Sequence, residues 1–200
     1  GQFFTKREIV TFMVKMLDPE FRDFIIDPAC GSGGFLLYAW DHVRTRLIRD
    51  FAGDLDTIKT LDIKFANEHI FGIEINDRIA RIAMMDMVIH EDGSSNIVCA
   101  DALGPWESFP QDKVGEDRFT ICLTNPPFGA AVKRQATLKQ FELGSRRHKR
   151  TSQKTEILFI ERCLQLLKPG GKLGIVLPDG ILTNSSLDYV RKFIEENARI

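Results

Sequence analysis

Residues 24–35 read FIIDPACGSGGF. Phe24, Ile25 and Ile26 form a short apolar run that ends on Asp27. Pro28 breaks the run, and Gly31, Gly33 and Gly34 follow before helix-forming residues resume at Phe35. A short strand, a glycine-rich turn and a helix, in that order, open a parallel α/β unit. Glycine lets backbone approach a ligand closely and accepts positive φ. The helix that the turn opens presents unpaired N–H groups at its N-terminus. The spacing G-x-G-G departs from the dinucleotide fingerprint G-x-G-x-x-G.

The alternation continues on both sides of this stretch. In 5–17, Ile9, Val10, Phe12, Met13, Met16 and Leu17 recur at helical spacing. Thr5 reads as the N-cap of that helix, with Glu8 completing a capping-box pattern. Further helices are predicted at 35–51, 54–68, 77–90, 155–167 and 186–197. Strands are predicted at 24–27, 70–75, 96–100, 118–124 and 172–177. Asp92–Gly93 marks a turn, and Lys168-Pro169-Gly170-Gly171 is a helix stop. Residues 129–154 are a long polar stretch to which no element is assigned. Strands alternating with helices predict a Rossmann-like, doubly wound, mostly parallel sheet with helices on both faces. Ligands bind such sheets at the carboxyl ends of the strands. Asp27, Glu74, Asp101 and Asn125 all fall at those ends.

The 200 residues suffice for one domain. Hydrophobic residues are 44% and charged residues 28%, an ordinary globular balance. The formal net charge of −1 says nothing about a nucleic-acid partner. No apolar run approaches the roughly 20 residues of a membrane span, and GQFFTKREIV lacks the features of a signal peptide. Cys30, Cys99, Cys122 and Cys163 form no C-x-x-C pair and have no histidine at metal-ligand spacing. Reduced thiols in a cytoplasmic protein and no metal are therefore expected. Gly1 opens directly into a motif, and Ile200 falls where a helix should hand over to a strand, as in a fragment.

Glu74 ends the second strand, where a carboxylate can accept both hydroxyls of a ribose. It lies 41 residues past Gly33, against about 20 in the dinucleotide pattern. Asp101, ending the third strand, can bond an adenine amino group. Asn125-Pro126-Pro127-Phe128 follows the fourth. Two prolines fix φ and remove two backbone donors, leaving a rim of acceptors in the Asn125 side-chain oxygen and the Pro126 carbonyl. An exocyclic amine can donate both N–H groups to that rim, which favours a pyramidal nitrogen with its lone pair free. Phe128 supplies a flat face for a base taken out of its duplex. Residues 130–154 then carry eight Lys or Arg against one acid, Glu142. This suits phosphate contacts, although charge runs also serve only as solvated surface.

DPACGSGGF, FGIEIN, ADAL and TNPPF, in that order, resemble the motifs of amino-methyltransferases acting on DNA. GQFFT, ahead of the glycine turn, resembles their cofactor-closing motif in the gamma arrangement. KTEILFIERCLQLLKPGGKLGIVLPDGIL looks like the helix–strand region of methylation subunits of type I restriction-modification systems. The resemblance covers nearly the whole chain. It implies an N6-adenine DNA methyltransferase that uses S-adenosylmethionine and acts on double-stranded DNA. It also implies a separate specificity subunit to read the sequence, with a restriction subunit as a further partner. By position, Gln2, Phe3, Phe4, Thr5, Lys6, Arg7, Asp27, Ala29, Gly31, Ser32, Gly33, Gly34 and Glu74 would surround the cofactor. Asp101 and Ala102 would flank its adenine, and Asn125, Pro126, Pro127 and Phe128 would hold the target base. On this reading 1–200 is the catalytic domain, with helical N-terminal and C-terminal regions outside it. Residues 129–154 are then a basic loop whose Lys133, Arg134, Arg146, Arg147, Lys149 and Arg150 contact DNA. Lys6 departs from the family, which commonly has proline there. The family's closing antiparallel hairpin would begin near Ile200, and the chain shows no target-recognition domain.

Three other readings remain open at this point. An NPP(Y/F) methyltransferase acting on a protein glutamine or an RNA guanine shares the acceptor chemistry; GQFFT and the basic segment speak against it. A dinucleotide-binding dehydrogenase is disfavoured by the spacing to Glu74. A non-catalytic DNA-binding subunit is disfavoured by an intact Asn125 and Glu74.

Overall fold

A computed structural model describes residues 5–89, 96–146 and 149–200. Gln2, Phe3, Phe4, the Asp92–Gly93 turn, Arg147 and the Arg146 side chain lie outside the described residues. In chain order the elements are α1 (Arg7–Leu17), β1 (Ile25–Asp27), α2 (Gly34–Asp50), α3 (Leu55–His69), β2 (Ile70–Glu74), α4 (Asp77–Ile89) and β3 (Ile97–Cys99). They continue with β4 (Phe119–Thr124), β5 (Ala131–Val132), α5 (Gln135–Leu138), β6 (Gln153–Lys154), α6 (Thr155–Leu166), β7 (Leu167–Ile175), α7 (Gly180–Thr183) and α8 (Asp188–Asn197).

Five strands form one parallel sheet in the order β3-β2-β1-β4-β7. Helices cover both faces, so β1 and β2 are buried along their whole length, as parallel strands of this class are. Successive residues point to opposite faces. Ile25, Ile121 and Leu123 pack with Val10, Leu36, Phe65 and Ala83 of the first four helices. Ile26, Ile73 and Cys122 pack with Leu158, Phe159 and Cys163 of α6 on the other face. Ten of the twelve residues of α6 are buried. A third cluster, in which Ile157 and Ile160 meet Ile181 of α7 and Val190 of α8, encloses its outer side. The result is the Rossmann-like doubly wound sheet that the alternation predicts.

The order of strands positions the site. From β1 the chain lays β2 and then β3 on one side, and returns to lay β4 and β7 on the other. The crevice at such a reversal, at the carboxyl ends, is where open α/β sheets bind ligands. Asp27 and Asn125 end or follow the two strands that flank it. Gly72 in β2 permits close packing beside that crevice. A Cβ there would lie 2.8 Å from Ile97 Cδ1 and 2.9 Å from both Cys30 Sγ and Leu36 Cδ1.

Three local expectations change. Thr5 does not cap α1. Lys6 is the N-cap, with no side-chain capping bond, and the Thr5 hydroxyl instead meets Asn125, as described below. β7 begins at Leu167 rather than 172, and its register with β4 jumps from Phe119↔Leu167 to Ile121↔Lys172. The Lys168–Gly171 stop signal thus sits inside an irregular strand. Finally, 129–154 contains structure. β5 and β6 pair antiparallel, α5 and a turn of π-helix at Glu142–Arg146 lie between them, and Leu138, Phe141 and Leu143 are buried.

Candidate active site

A cavity of about 760 Å³ opens at the carboxyl edge of the sheet, within the range of small-molecule sites. Its lining divides by strand. The turn after β1 contributes Asp27, Ala29, Gly31, Ser32 and Gly34; the end of β2 contributes Glu74; the segment after β3 contributes Asp101 and Ala102. The segments after β4 contribute Asn125, Pro126, Pro127, Phe128 and Arg134, and Thr5 comes from the approach to α1. Gly33 caps α2 at φ +90° rather than lining the cavity. Lys6, Arg7 and Lys133 are exposed and outside the lining.

Glu74 is 6% exposed. Its Oε2 accepts from the Gly31 N–H at 3.0 Å and its Oε1 from the Asn76 N–H at 2.8 Å. The carboxylate thereby fixes the glycine turn, in which Gly31 has φ +54°, and each oxygen retains a further acceptor site. Asp27 is 1% exposed at the base of the crevice. Burial pushes its carboxyl up to about 7, with the neighbouring Glu74 adding to the rise. The Thr124 hydroxyl and the Ala29 N–H, 3.0 Å from Oδ1, act in the opposite sense. The Cys30 thiol is raised by burial and then by Asp27 and Glu74, which leaves it protonated and inert. Asp101 is exposed, and its Oδ1 accepts from the Leu103 N–H at 2.9 Å.

Asn125 stands where β4 ends. Its Nδ2 donates to Thr5 Oγ1 at 2.9 Å. Its Oδ1 is buried and has no hydrogen-bond partner among the described residues. A buried acceptor left unmade is costly in isolation, and this one belongs to a residue that lines the cavity. The segment that follows is pinned to the start of α6. The Gly129 N–H donates to Glu156 Oε2 at 3.2 Å, and the Thr155 N–H and hydroxyl both donate to the Ala130 carbonyl at 3.0 Å. Between these anchors Phe128 stays 45% exposed with its ring at the cavity.

Several lining residues escape sequence reasoning. Ile75, Ile79 and Ile82 form an apolar wall beside Glu74, while Val132, Thr137, Thr155 and Phe159 lie beside Asn125–Phe128. Thr155 and Phe159 have helical i, i+4 spacing, a signal indistinguishable from core packing. Of the basic candidates, Lys133, Arg134 and Lys149 are exposed. Arg150 instead stacks its guanidinium on Tyr189 of α8, 4.1 Å from the ring centroid.

A profile of the family described as N-6 DNA methylase matches residues 1–200. The EcoEI type I restriction enzyme methylase subunit of Escherichia coli is 27% identical over 210 residues, covering 100% of this chain and 37% of that protein. The EcoKI methylase subunit of Escherichia coli strain K12 is 28% identical over 184 residues, covering 91% and 32%. The chain therefore spans about a third of the length of these relatives. The crystal structure of the EcoKI M protein superposes with a TM-score of 0.70 at 24% identity, over 96% of this chain and 38% of that one. That superposition speaks to the fold.

Proposed function

This chain belongs to the N-6 DNA methylase family, and from that footing we propose that it transfers a methyl group from S-adenosylmethionine to the N6 amino group of adenine in DNA. It would do so as the modification subunit of a restriction-modification system. The observation that carries the reading is the Asn125 Oδ1, a buried acceptor without a partner among the described residues, on a residue that lines the same cavity as a strand-end carboxylate held by two backbone N–H groups.

The residues present suit the cofactor. Glu74 has acceptor sites left for two ribose hydroxyls, the Gly31–Gly34 turn brings backbone close, Asp101 and Ala102 suit an adenine, and Ile75, Ile79 and Ile82 offer an apolar wall. When bound, S-adenosylmethionine supplies a methyl group activated on a sulfonium. The chain's part is to present the nucleophile. Asn125 Oδ1 and the Pro126 carbonyl accept the two N–H groups of the target amine, drawing its lone pair out of conjugation with the ring. The nitrogen sheds its proton after the new bond forms, so no strong base is required. Phe128 offers its face to the extruded base. Alignment and oriented acceptors supply most of the acceleration. Lys133, Arg134 and Lys149 are suited to backbone phosphates. The relatives are methylase subunits of type I restriction enzymes, which supports double-stranded DNA as substrate, a specificity subunit and a restriction subunit as partners, and a cytoplasmic setting.

The test is transfer of labelled methyl from S-adenosylmethionine to DNA by the assembly that includes the specificity subunit, followed by nucleoside analysis. Label in N6-methyladenine is the expected outcome. Label in N4-methylcytosine would keep the acceptor chemistry and overturn the choice of base. Label only in protein or RNA would overturn the reading.

A further inference from the structure

We propose that Thr5 is a positioning residue for this reaction, its hydroxyl holding the plane of the Asn125 carboxamide so that Oδ1 remains available to the cavity. The inference rests on the reading above, in which that oxygen accepts from the target amine. It gives Thr5 a task different from contact with the cofactor.

The two side chains meet at 2.9 Å although 120 positions separate them in sequence. The meeting is built by packing. Val10 and Val14 of α1 are buried against the sheet. Gly174 of β7 lets α1 sit close: a Cβ there would come within 3.1 Å of Leu17 Cδ1 and 3.2 Å of Met13 Cε. That seating brings the chain just before α1 to the end of β4. Thr5 does not play the local role its sequence suggests, since α1 starts at Arg7 without a side-chain cap.

The last torsion of a carboxamide is broad, with two near-equivalent orientations. Bonded at Nδ2, the Asn125 amide has its plane fixed on one side, and its Oδ1 is left buried with no partner among the described residues. Without the hydroxyl the amide can turn and place its NH2 towards the site. A substrate amine is itself a donor, so donor would face donor and the lone pair would stay in the ring.

Thr5→Val keeps the shape and removes the hydroxyl, whereas Thr5→Ser keeps the hydroxyl. Both are measured in the methylating assembly by single-turnover transfer at saturating DNA and S-adenosylmethionine, with cofactor affinity from calorimetry. Thr5→Val is expected to slow the saturated step by about 10- to 100-fold, the scale of a misplaced reacting group, with the cofactor dissociation constant unchanged and most of the rate restored in Thr5→Ser. An unaltered saturated rate in Thr5→Val would overturn the proposal. So would a defect confined to cofactor affinity, which would make Thr5 a cofactor ligand. If the unsubstituted assembly transfers no methyl group at all, the functional reading itself fails and this inference falls with it.

Discussion

Asp27 carries a carboxyl that burial holds at about 7, well above the usual aspartate range, at the floor of the crevice. The sign of its effect on stability follows from linkage. With the folded pKa above the unfolded one, the folded state binds the extra proton. The stabilisation is complete below about 3.9 and is lost as pH rises through about 7. Asp27→Asn removes this slope. Its melting temperature relative to the unsubstituted protein should therefore rise between pH 5 and pH 8, where about 3 kcal/mol of the roughly 4 kcal/mol total change falls. A pH-independent difference would mean that Asp27 titrates normally. Asp27, Glu74 and Asn125 are legible in the sequence because each falls at the end of an apolar run, where a sheet must deliver it to the same edge. The bond between Thr5 and Asn125 is not legible, because it depends on how α1 lies across β4 and β7. Local pattern instead favours the capping box that the structure does not form.

Among the elements, the segment between β4 and α6 differs most from its sequence signal. Its eight basic residues dominate the composition and conceal the apolar ones among them. Leu138, Phe141 and Leu143 are all buried beneath it, and the Arg162 guanidinium lies 4.9 Å from the Phe141 ring centroid. Phe141→Ala should lower unfolding stability by about 3–5 kcal/mol in denaturant titration; a loss under about 1 kcal/mol would contradict this packing. The exposed Lys133, Arg134 and Lys149 belong to the same segment. Replacing all three with alanine should flatten the salt dependence of DNA binding, by about 0.9 in log–log slope for each phosphate that is no longer neutralised. An unchanged slope would assign them to solvated surface. Arg150, stacked on Tyr189, shows why a run of charge in sequence does not tell which members face a ligand.

At the scale of the whole molecule, the sheet reverses its winding between β1 and β4 and leaves a crevice that six segments of chain line together. Strand and helix alternation makes this architecture readable from the sequence, since short apolar runs and glycine turns leave few other ways to bury both faces of a sheet. The apolar walls of the crevice are less readable. Ile75, Ile79, Ile82 and Phe159 carry the same signal as core residues, and only their placement at the sheet edge separates them. In the proposed function this crevice presents an amine to a methyl donor through Asn125. That role is tested most directly by Asn125→Ala, with cofactor affinity and methyl transfer to DNA measured on the same preparation of the assembly. Cofactor binding close to that of the unsubstituted protein is expected, with transfer abolished. Methylation of adenine at the normal rate by Asn125→Ala would contradict it.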